Sequence, residues 1–340
     1  MSETSQAQPK GSVAKDFSVI RDHAGPYLDA INRFIENQVQ EFEPEIRDLI
    51  DYCLVKGGKR IRPVLVFFSG YHEGGKWDHD LVKLGAVIEL VHMATLVHDD
   101  ILDQAAIRHG RPSVCEKYGS AVAVLLGDAL FSHALCLAAE FPTVEVCREV
   151  AASTRTVCAG EIHQTFLRGD VHTDLKSYYR SIEMKTAELF RVACYLGAKI
   201  GGYGEKFAEA CAVFGNSLGT AYQIFDDYAD IISTEARMGK TLHTDLLKGK
   251  YTLPLILLFD ALPEKEVENL VQQLNGTENV PVQLLESLMD HHKIKGKVME
   301  HFNRQIKVGD TALKEFGELP PTERLRELLE FVRAQISVLA

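Results

Sequence analysis

Apolar residues recur at helical spacing along the chain from Pro26 onward. In residues 28–42 they fall every three or four positions, the pattern of one face of a helix. Two segments, 81–102 and 207–232, are apolar almost all round, which is typical of helices enclosed by other helices. Alternating runs of β-branched residues around hairpin turns are nearly absent from the sequence. The pattern therefore predicts an all-α fold, a single large helical bundle.

The 340 residues contain no long linker rich in Ser, Pro or Gly between these helical segments. We therefore expect one domain over residues 26–340, preceded by a disordered tail over residues 1–25. Residues 1–16 lack the apolar stretch of a signal peptide. The apolar runs are interrupted by His, Asp or Gly short of a membrane span, so no integral membrane segment is expected.

Composition narrows the classes of function. With 37 basic and 48 acidic residues the net charge is −11, and such a surface repels the phosphates of nucleic acid, which is not an expected partner. The 7 cysteines are scattered without any Cys-x-x-Cys pair, which fits buried thiols in a reducing compartment. These features predict a soluble cytoplasmic protein.

Two short clusters of aspartates carry the strongest chemical signal. Each ends one of the two apolar segments with the spacing Asp-Asp-x-x-Asp, which puts two carboxylates side by side on one helix face. A single cluster would ordinarily be a solvated helix end, but its repetition beside an apolar interior requires neutralising cations. Oxygen ligands alone favour Mg²⁺ over a di-iron site, which would use Glu and His. The clusters are Asp99, Asp100 and Asp103, and Asp226, Asp227 and Asp230.

Candidate anion-binding residues lie beside glycines or shortly after the clusters. Glycine lets the backbone approach an anion, and the planar fork of arginine suits phosphate. The sequence carries no motif for a P-loop, a dinucleotide site or a catalytic nucleophile. Metal ligands, cations and an apolar interior together fit the ionisation of a diphosphate ester with a hydrophobic tail. The cations are Lys56, Lys59, Arg60, Arg62, Arg108, Lys240 and Lys250.

Several segments resemble one known family in their order and spacing. Over roughly residues 28–335 the chain resembles the trans-isoprenyl diphosphate synthase (polyprenyl synthetase) family, and most closely its long-chain polyprenyl members. The resemblance implies an isoprenoid-synthase bundle with a central active-site cavity. The segments are GGKRIRP, ELVHMATLVHDDILD, RHGRP, VLLGDALF, MKTAELF, YQIFDDYAD and DLLKGKYTLP.

The resemblance implies a prenyltransferase that joins isopentenyl diphosphate to an allylic diphosphate by ionisation, condensation and elimination. It also implies a homodimer and Mg²⁺ as cofactor, with three ions when substrate is bound. The implied direct metal ligands are Asp99, Asp103 and Asp226. The residues expected to serve the same ions or their waters are Asp100, Asp227, Asp230 and Asp245.

Substrate-binding and catalytic residues follow from the same resemblance. Thr186 and Gln223 would steady the developing carbocation with their oxygen dipoles, and with Lys185 and the direct metal ligands they form the expected catalytic set. The residues implied to hold the allylic diphosphate are Arg108, Lys185, Lys240 and Lys250. The residues implied for the isopentenyl diphosphate pocket are Lys59, Arg62, His92 and, beside them, His109.

Two positions depart from the family pattern. His109 stands where the family usually has a second arginine, and His243 stands where glycine is common. Histidine is neutral over much of the physiological range, so the pocket lacks one fixed positive charge. The sequence therefore predicts weaker and pH-sensitive binding of isopentenyl diphosphate.

The residues before the first cluster predict the length of the product. In the family, an aromatic residue five positions before the first aspartate closes the tunnel at farnesyl length, whereas here the residue is Ala94, followed by Thr95. Val91 lies one turn deeper on roughly the same face. Because none of these side chains is large, we expect a product of geranylgeranyl length or longer.

Two other functions remain open at this point. A class I terpene cyclase shares the helical bundle and the first cluster, but normally has a second metal motif of Asn, Ser and Glu. A non-catalytic partner subunit of a heteromeric synthase would usually have lost part of an aspartate cluster, and here both are complete.

Overall fold

The computed structural model describes residues 13–54, 59–232, 249–275 and 282–339, and the fold is all-α as the sequence predicts. Short 3₁₀ turns occupy Val39–Glu41, Pro44–Ile46 and Lys314–Phe316, and a π-helical turn, Glu183–Ala187, separates α8 from α9. The helices are α1 (Val13–Gln38), α2 (Arg47–Cys53), α3 (Ile61–Ser69), α4 (His79–Leu102), α5 (Val114–Tyr118), α6 (Ser120–Ala139), α7 (Val144–Phe166), α8 (Leu175–Ile182), α9 (Glu188–Ile200), α10 (Glu205–Ile232), α11 (Leu253–Phe259), α12 (Glu264–Asn275), α13 (Val282–His291), α14 (Ile294–Ala312) and α15 (Pro320–Leu339).

The two helices that end in aspartate clusters, α4 and α10, are buried along most of their length. α4 packs against α3, α6 and α9, and α10 packs against α9 and α14. The α4 helix begins after Asp78, whose side chain accepts a hydrogen bond from the Leu81 amide at 2.9 Å. The prediction that segments 81–102 and 207–232 are enclosed helices is therefore confirmed.

α4 and α6 run antiparallel. Near the start of α4, Lys83 pairs with Glu140 at the end of α6 (3.0 Å). Near the end of α4, the His98 ring lies 3.1 Å from the carbonyl oxygen of Val124, at the start of α6. The beginning of α6 and the end of α7 therefore lie at the same end of the bundle as the first aspartate cluster.

Folded structure begins earlier than predicted. The predicted tail covered residues 1–25, but α1 starts at Val13, and Ile20 and Ala24 are buried in the core. With Tyr27 and Ile31 they continue one apolar stripe at helical spacing, and Pro26 lies inside the helix. The helical pattern that the sequence shows from Pro26 onward thus continues back to Ile20, so the predicted boundary lies too late in the chain.

A short antiparallel hairpin, β1 (Ile107–Arg108) and β2 (Arg111–Pro112), follows α4. Its two turn residues, His109 (φ 50°) and Gly110 (φ 75°), both have left-handed backbone conformations. This is the pattern of a type I′ turn, which suits a two-residue hairpin. The hairpin places Arg108 and His109 next to the end of α4.

Two helices, α4 and α6, are long and apolar enough to span a membrane by length and composition alone, whereas the interrupted apolar runs of the sequence predict none. In α4 the most apolar window is 72% buried inside the bundle, so core packing accounts for its composition. In α6 only 39% is buried, because one face of this helix is exposed. Cytoplasmic location and the absence of a membrane segment stay predictions.

Candidate active site

The first cluster lies at the C-terminal end of α4, where lysines and an arginine face it. The Lys185 ammonium is 3.6 Å from Asp99, and Lys250 donates to Asp103 at 2.9 Å. Arg168 also donates to Asp103, at 3.2 Å. Two of the lysines predicted from the sequence thus lie at two of the three carboxylates predicted as direct metal ligands.

These cations do not fully compensate the buried charge. Burial raises the pKa of Asp99 above its ordinary value, and this effect outweighs the opposite effect of Lys185. Burial lowers the pKa of Lys185, but Asp99 and Glu161 together bring it above its ordinary value. A carboxylate that is still costly to ionise beside a bound lysine fits a site that takes up a further cation.

Asp100 and Arg108 bind each other. The Arg108 guanidinium donates through Nε at 3.0 Å and also through Nη2 to Oδ1 of Asp100, which is 3% exposed. The family resemblance implies a role for Asp100 at the metal and a role for Arg108 on the allylic diphosphate. In this structure each is the partner of the other, and both of the assigned roles stay predictions.

A chain of hydrogen bonds connects the second cluster to the predicted catalytic residues. The Thr186 hydroxyl donates to Oε1 of Gln223 at 2.8 Å, and Nε2 of Gln223 donates to Asp227 at 2.7 Å. The other oxygen of Asp227 accepts from the Tyr178 hydroxyl at 2.7 Å. Asp227 is thereby fixed in orientation, and Asp230 is buried one turn further on.

The Lys250 side chain connects the two clusters. A small cavity of about 30 Å³ is lined by Gln164, Asp227 and Lys250 among other residues. Because Lys250 also binds Asp103, its side chain lies between the first cluster and the second. The Lys59 ammonium lies 4.9 Å from the centre of the Phe331 ring, and burial lowers the pKa of Lys59 while Asp226 opposes this effect.

Lys185 and Thr186 lie in the π-helical turn between α8 and α9. π-turns interrupt regular helices and often occur at functional sites. Glycines on α7 and α10 allow these helices to pack closely against the π-helical turn. A Cβ on Gly160 would lie 2.7 Å from the backbone nitrogen of Lys185, and a Cβ on Gly219 would lie 2.7 Å from the Cα of Ala187. The turn is therefore held from both sides.

A second group of cations lies near His92, and one of them, Arg108, also binds Asp100 of the first cluster. Burial lowers the pKa of His92 well below its ordinary value, and Arg62, Arg108, Arg60 and His109 lower it further in that order. His92 is therefore neutral and lies in the positive field of these residues. Such a field attracts an anion.

Arg62 is the cation best placed to bind an anion in this pocket. Its guanidinium lies 4.9 Å from the centre of the Phe190 ring, and its buried Nε finds no hydrogen-bond partner in the described part of the chain. Burial lowers its pKa, with Glu89 opposing the effect. Its neighbour Arg60, by contrast, binds Glu89 at 2.6 Å. A desolvated guanidinium with an open donor fits a diphosphate ligand.

Several polar residues at the site belong to none of the predicted sets. Glu161 binds Lys185, and Gln164 accepts from the same ammonium at 3.2 Å. Their spacing with Arg168 (i, i+3 and i+7) puts all three on one face of the segment ending α7, a signal that helical periodicity could have supplied. Glu89 and Tyr178 carried no such local signal.

The predicted chain-length residues lie on the buried helix α4. Ala94 and Val91 are buried, and the Thr95 hydroxyl donates to the carbonyl oxygen of His92 at 2.6 Å. Small side chains thus precede the first cluster, but their role in product length stays a prediction.

Some residues predicted from the sequence lie outside the part of the chain that the structure describes. They are Lys56, Gly57, Gly58, Lys240, His243 and Asp245. In the ranges 13–54, 59–232, 249–275 and 282–339, no three carboxylate, imidazole or thiol groups are already gathered as a metal site. The aspartates of the first cluster are instead held by protein cations.

A helical bundle whose buried centre gathers two aspartate clusters, facing lysines and a cationic pocket defines a class of synthase that handles diphosphates. The family model described as polyprenyl synthetase matches residues 43–288. The chain belongs to the polyprenyl synthetase family.

Individual relatives agree with this assignment. Heptaprenyl diphosphate synthase component 2 of Bacillus subtilis is 36% identical over 250 residues, 73% of this chain and 70% of the relative. Octaprenyl diphosphate synthase of Haemophilus influenzae is 33% identical over 237 residues, 70% and 72% of the two chains. A polyprenyl synthase of Caulobacter crescentus, crystallised with calcium and isoprenyl diphosphate, superposes with a TM-score of 0.85 at 28% identity, covering 96% of this chain and 98% of that one.

Proposed function

We propose that this protein condenses isopentenyl diphosphate with an allylic diphosphate and makes a prenyl diphosphate of geranylgeranyl length or longer. Its family is one of prenyl diphosphate synthases of several chain lengths. The observation that supports the proposal most is the arrangement of Lys185 and Lys250 at the first cluster, with the half-buried Arg62 and its open Nε among the cations near His92. Two anion sites of different character suit two different diphosphates.

The carboxylates fit magnesium by their chemistry. Hard oxygen donors beside an apolar interior suit Mg²⁺, and Asp99, Asp103 and Asp226 are the residues proposed to hold it, with Asp100, Asp227, Asp230 and Asp245 supporting them. When bound, Mg²⁺ supplies positive charge that stabilises the departing diphosphate. The number of ions, three in the proposal, rests on the family resemblance.

The protein's own groups perform the remaining tasks. Lys185 and Lys250 bind the allylic diphosphate and stabilise the charge that develops as it leaves, which is electrostatic catalysis by preorganised groups. Thr186 and Gln223 turn oxygen dipoles toward the carbocation. Arg62 and Lys59 hold isopentenyl diphosphate so that its alkene reaches the cation. The apolar surround keeps out water, which would otherwise capture the cation.

One assay decides among the competing functions. Purified protein is incubated with Mg²⁺ and geranyl or farnesyl diphosphate, with and without isopentenyl diphosphate, and the products are sized. We expect elongated products only when both substrates are present, and none after chelation of the metal. A hydrocarbon formed from the allylic substrate alone would support the cyclase, and no product with any primer would support the partner subunit.

Replacing Ala94 by phenylalanine is expected to shorten the product. The new ring would close the space one turn before Asp99, while Val91→Phe, one turn deeper, would leave a product of intermediate length. Overpacking of this buried position costs about 1–3 kcal/mol of stability, which alters the yield of active protein but not product length. Reversed-phase chromatography of the products should give the shortest chains for Ala94→Phe, longer ones for Val91→Phe and the longest for the wild type. An unchanged product length in Ala94→Phe would contradict the role of Ala94 in chain length.

His109→Arg is expected to lower the Michaelis constant for isopentenyl diphosphate about tenfold at pH 8, the effect of one charge-assisted hydrogen bond. Burial lowers the pKa of His109, Arg108 and Arg111 lower it further, and Asp100 opposes them. His109 is therefore neutral at pH 8 and gains its charge only as the pH falls through that lowered pKa. The Michaelis constant of the wild type for isopentenyl diphosphate should therefore fall as the pH is lowered, whereas that of His109→Arg should not.

The control for this comparison is His291→Arg, an exposed histidine at the end of α13. It adds the same charge away from the pocket and should leave the constant and its pH profile as in the wild type. Arg60 already adopts the left-handed conformation that position 109 requires, so arginine is tolerable there. Equal pH profiles in wild type and His109→Arg would contradict the role of His109.

The homodimer in our proposal is supported by an exposed apolar surface on α6 and α7. Leu125 is 68% exposed, Ile162 56% and Phe166 81%, all at the end of the bundle near the first cluster. Patches of this kind usually mark contacts between proteins.

Light scattering should give a dimer that Leu125→Asp converts to a monomer. Two relatives are named component 2 of a synthase, so a monomeric, inactive wild type would favour a heteromeric partner.

A further inference from the structure

Arg168 is a cation beside the first aspartate cluster that belongs to none of the predicted sets. It lies in the turn that follows α7, and its Nη2 donates to Oδ1 of Asp103 at 3.2 Å. The same oxygen accepts a hydrogen bond from Lys250 at 2.9 Å. Two cations from segments far apart in the sequence therefore share one carboxylate oxygen.

A backbone contact holds these two cations side by side. The amide of Gly169, which follows Arg168, donates at 2.8 Å to the carbonyl oxygen of Gly249, which precedes Lys250. Both glycines have left-handed conformations, with φ 78° and 66°. A Cβ on Gly249 would lie 3.1 Å from the Gly169 nitrogen, so the two segments meet closely where Gly249 has no side chain. Arg168 and Lys250 thus reach Asp103 as a pair.

The Arg168 guanidinium has donors that Asp103 does not use. Its buried Nε has no hydrogen-bond partner in the part of the chain that the structure describes. Its other carboxylate neighbour, Glu161, is 3.9 Å away, beyond hydrogen-bond distance, and binds Lys185. A guanidinium presents its N–H groups in a fork that matches the oxygens of a phosphate. Arg168 therefore has the chemistry to bind an anion in addition to Asp103.

Asp103 cannot bind a metal ion through Oδ1 and keep both of its cations there. A carboxylate oxygen has two lone pairs, and Oδ1 already accepts from both Lys250 and Arg168. A metal ion at this oxygen would displace at least one of them. Because both cations contact the same atom, a diphosphate that Lys250 binds there would also be within reach of Arg168.

We infer that Arg168 is a further binding residue for the allylic diphosphate and that it exchanges Asp103 for a diphosphate oxygen when that substrate binds. The inference rests on the proposed function and adds a guanidinium to Lys185 and Lys250. It gives Arg168 opposite effects on two ligands, because Arg168 competes with Mg²⁺ for Asp103 but attracts the diphosphate. A residue that only oriented Asp103 would favour the binding of both.

Titration calorimetry tests these opposite effects without turnover. The probes are Mg²⁺ alone and, at saturating Mg²⁺, inorganic pyrophosphate and farnesyl diphosphate without isopentenyl diphosphate. Arg168→Gln should weaken the magnesium-dependent binding of both diphosphates about 20-fold, the effect of hydrogen bonds to a charged group. Mg²⁺ alone should bind to it at least as tightly as to the wild type. Arg168→Lys keeps the charge but not the fork and should weaken the two diphosphates about fivefold.

The matched control is Arg155→Gln, which removes an exposed arginine from α7. It should bind every probe as the wild type does, and thermal melting should show all variants folded. In the steady state, Arg168→Gln should raise the Michaelis constant for the allylic diphosphate and leave that for isopentenyl diphosphate within about twofold.

The calorimetric result separates failure of this inference from failure of the proposed function. Unchanged pyrophosphate binding by Arg168→Gln, or weaker binding of Mg²⁺ alone, would overturn the inference. An inactive wild type would refute the proposed function, and the pyrophosphate affinities would still decide whether Arg168 binds a diphosphate.

Discussion

Asp103→Asn should lower kcat about 10³-fold while the protein remains folded, an effect of the size seen when one preorganised charge-stabilising group is lost. Asp103 accepts hydrogen bonds from Lys250 at 2.9 Å and from Arg168 at 3.2 Å. Asparagine fills the same space and can still accept a hydrogen bond, but it removes the negative charge. Two cations would then face each other without their carboxylate, and the proposed metal would lose a direct ligand.

Steady-state rates and the Mg²⁺ concentration for half-maximal rate measure this effect. Asp128→Asn is the matched control. Asp128 lies on the neighbouring helix α6, and its exposed carboxylate is 3.6 Å from His98. It should retain the wild-type rate and magnesium dependence. A rate for Asp103→Asn within tenfold of wild type would contradict the placement of the first cluster at the reacting diphosphate.

Gly160→Ala should lower kcat about 10²-fold, because displacing a catalytic group by about 1 Å has an effect of this size. The added Cβ would lie 2.7 Å from the Lys185 nitrogen and 2.8 Å from the Met184 Cβ. The nearest atom belongs to the backbone, so the π-turn itself must shift and carry Lys185 and Thr186 with it. We also expect the free energy of unfolding to fall by about 1–3 kcal/mol.

The rate must therefore be measured on protein shown by thermal melting to be folded at the assay temperature. Gly296→Ala provides the comparison, since a Cβ at this glycine in α14 would meet nothing within 4 Å. It should leave kcat unchanged and raise stability by up to about 1 kcal/mol through helix propensity. Wild-type turnover in Gly160→Ala would show that the π-turn does not need this close approach.

The sequence predicted much of the fold because apolar periodicity is a local signal. Segments 81–102 and 207–232 correspond to α4 and α10 within two residues at each end. At the N-terminus the apolar stripe extends further than predicted, because Ile20 and Ala24 continue it through Pro26. A proline inside a helix is tolerated when tertiary packing outweighs the lost hydrogen bond, and packing cannot be read from a local pattern.

The chemistry of the site was predicted less evenly. Spacing and family resemblance named Lys185, Thr186 and Gln223, and the structure brings the last two within 2.8 Å of each other. The partners that hold them, such as Glu161 and Tyr178, come from other helices and have no spacing rule that connects them. The pairing of Asp100 with Arg108 could not be predicted, because a sequence motif indicates which residues bind metal or substrate. It does not indicate which residues pair with each other when metal and substrate are absent.

The continuity of α4 from His79 to Leu102 has a consequence for the spread of products. The aspartates that would hold the reacting end of the substrate and the small residues Ala94 and Val91 belong to one rigid, enclosed rod. A helix rises about 1.5 Å per residue. The position of a bulky side chain along α4 therefore sets the distance from the aspartates at which chain growth ends. Variants should therefore yield narrow distributions displaced in discrete steps, and mixtures should widen only where the stop itself is flexible.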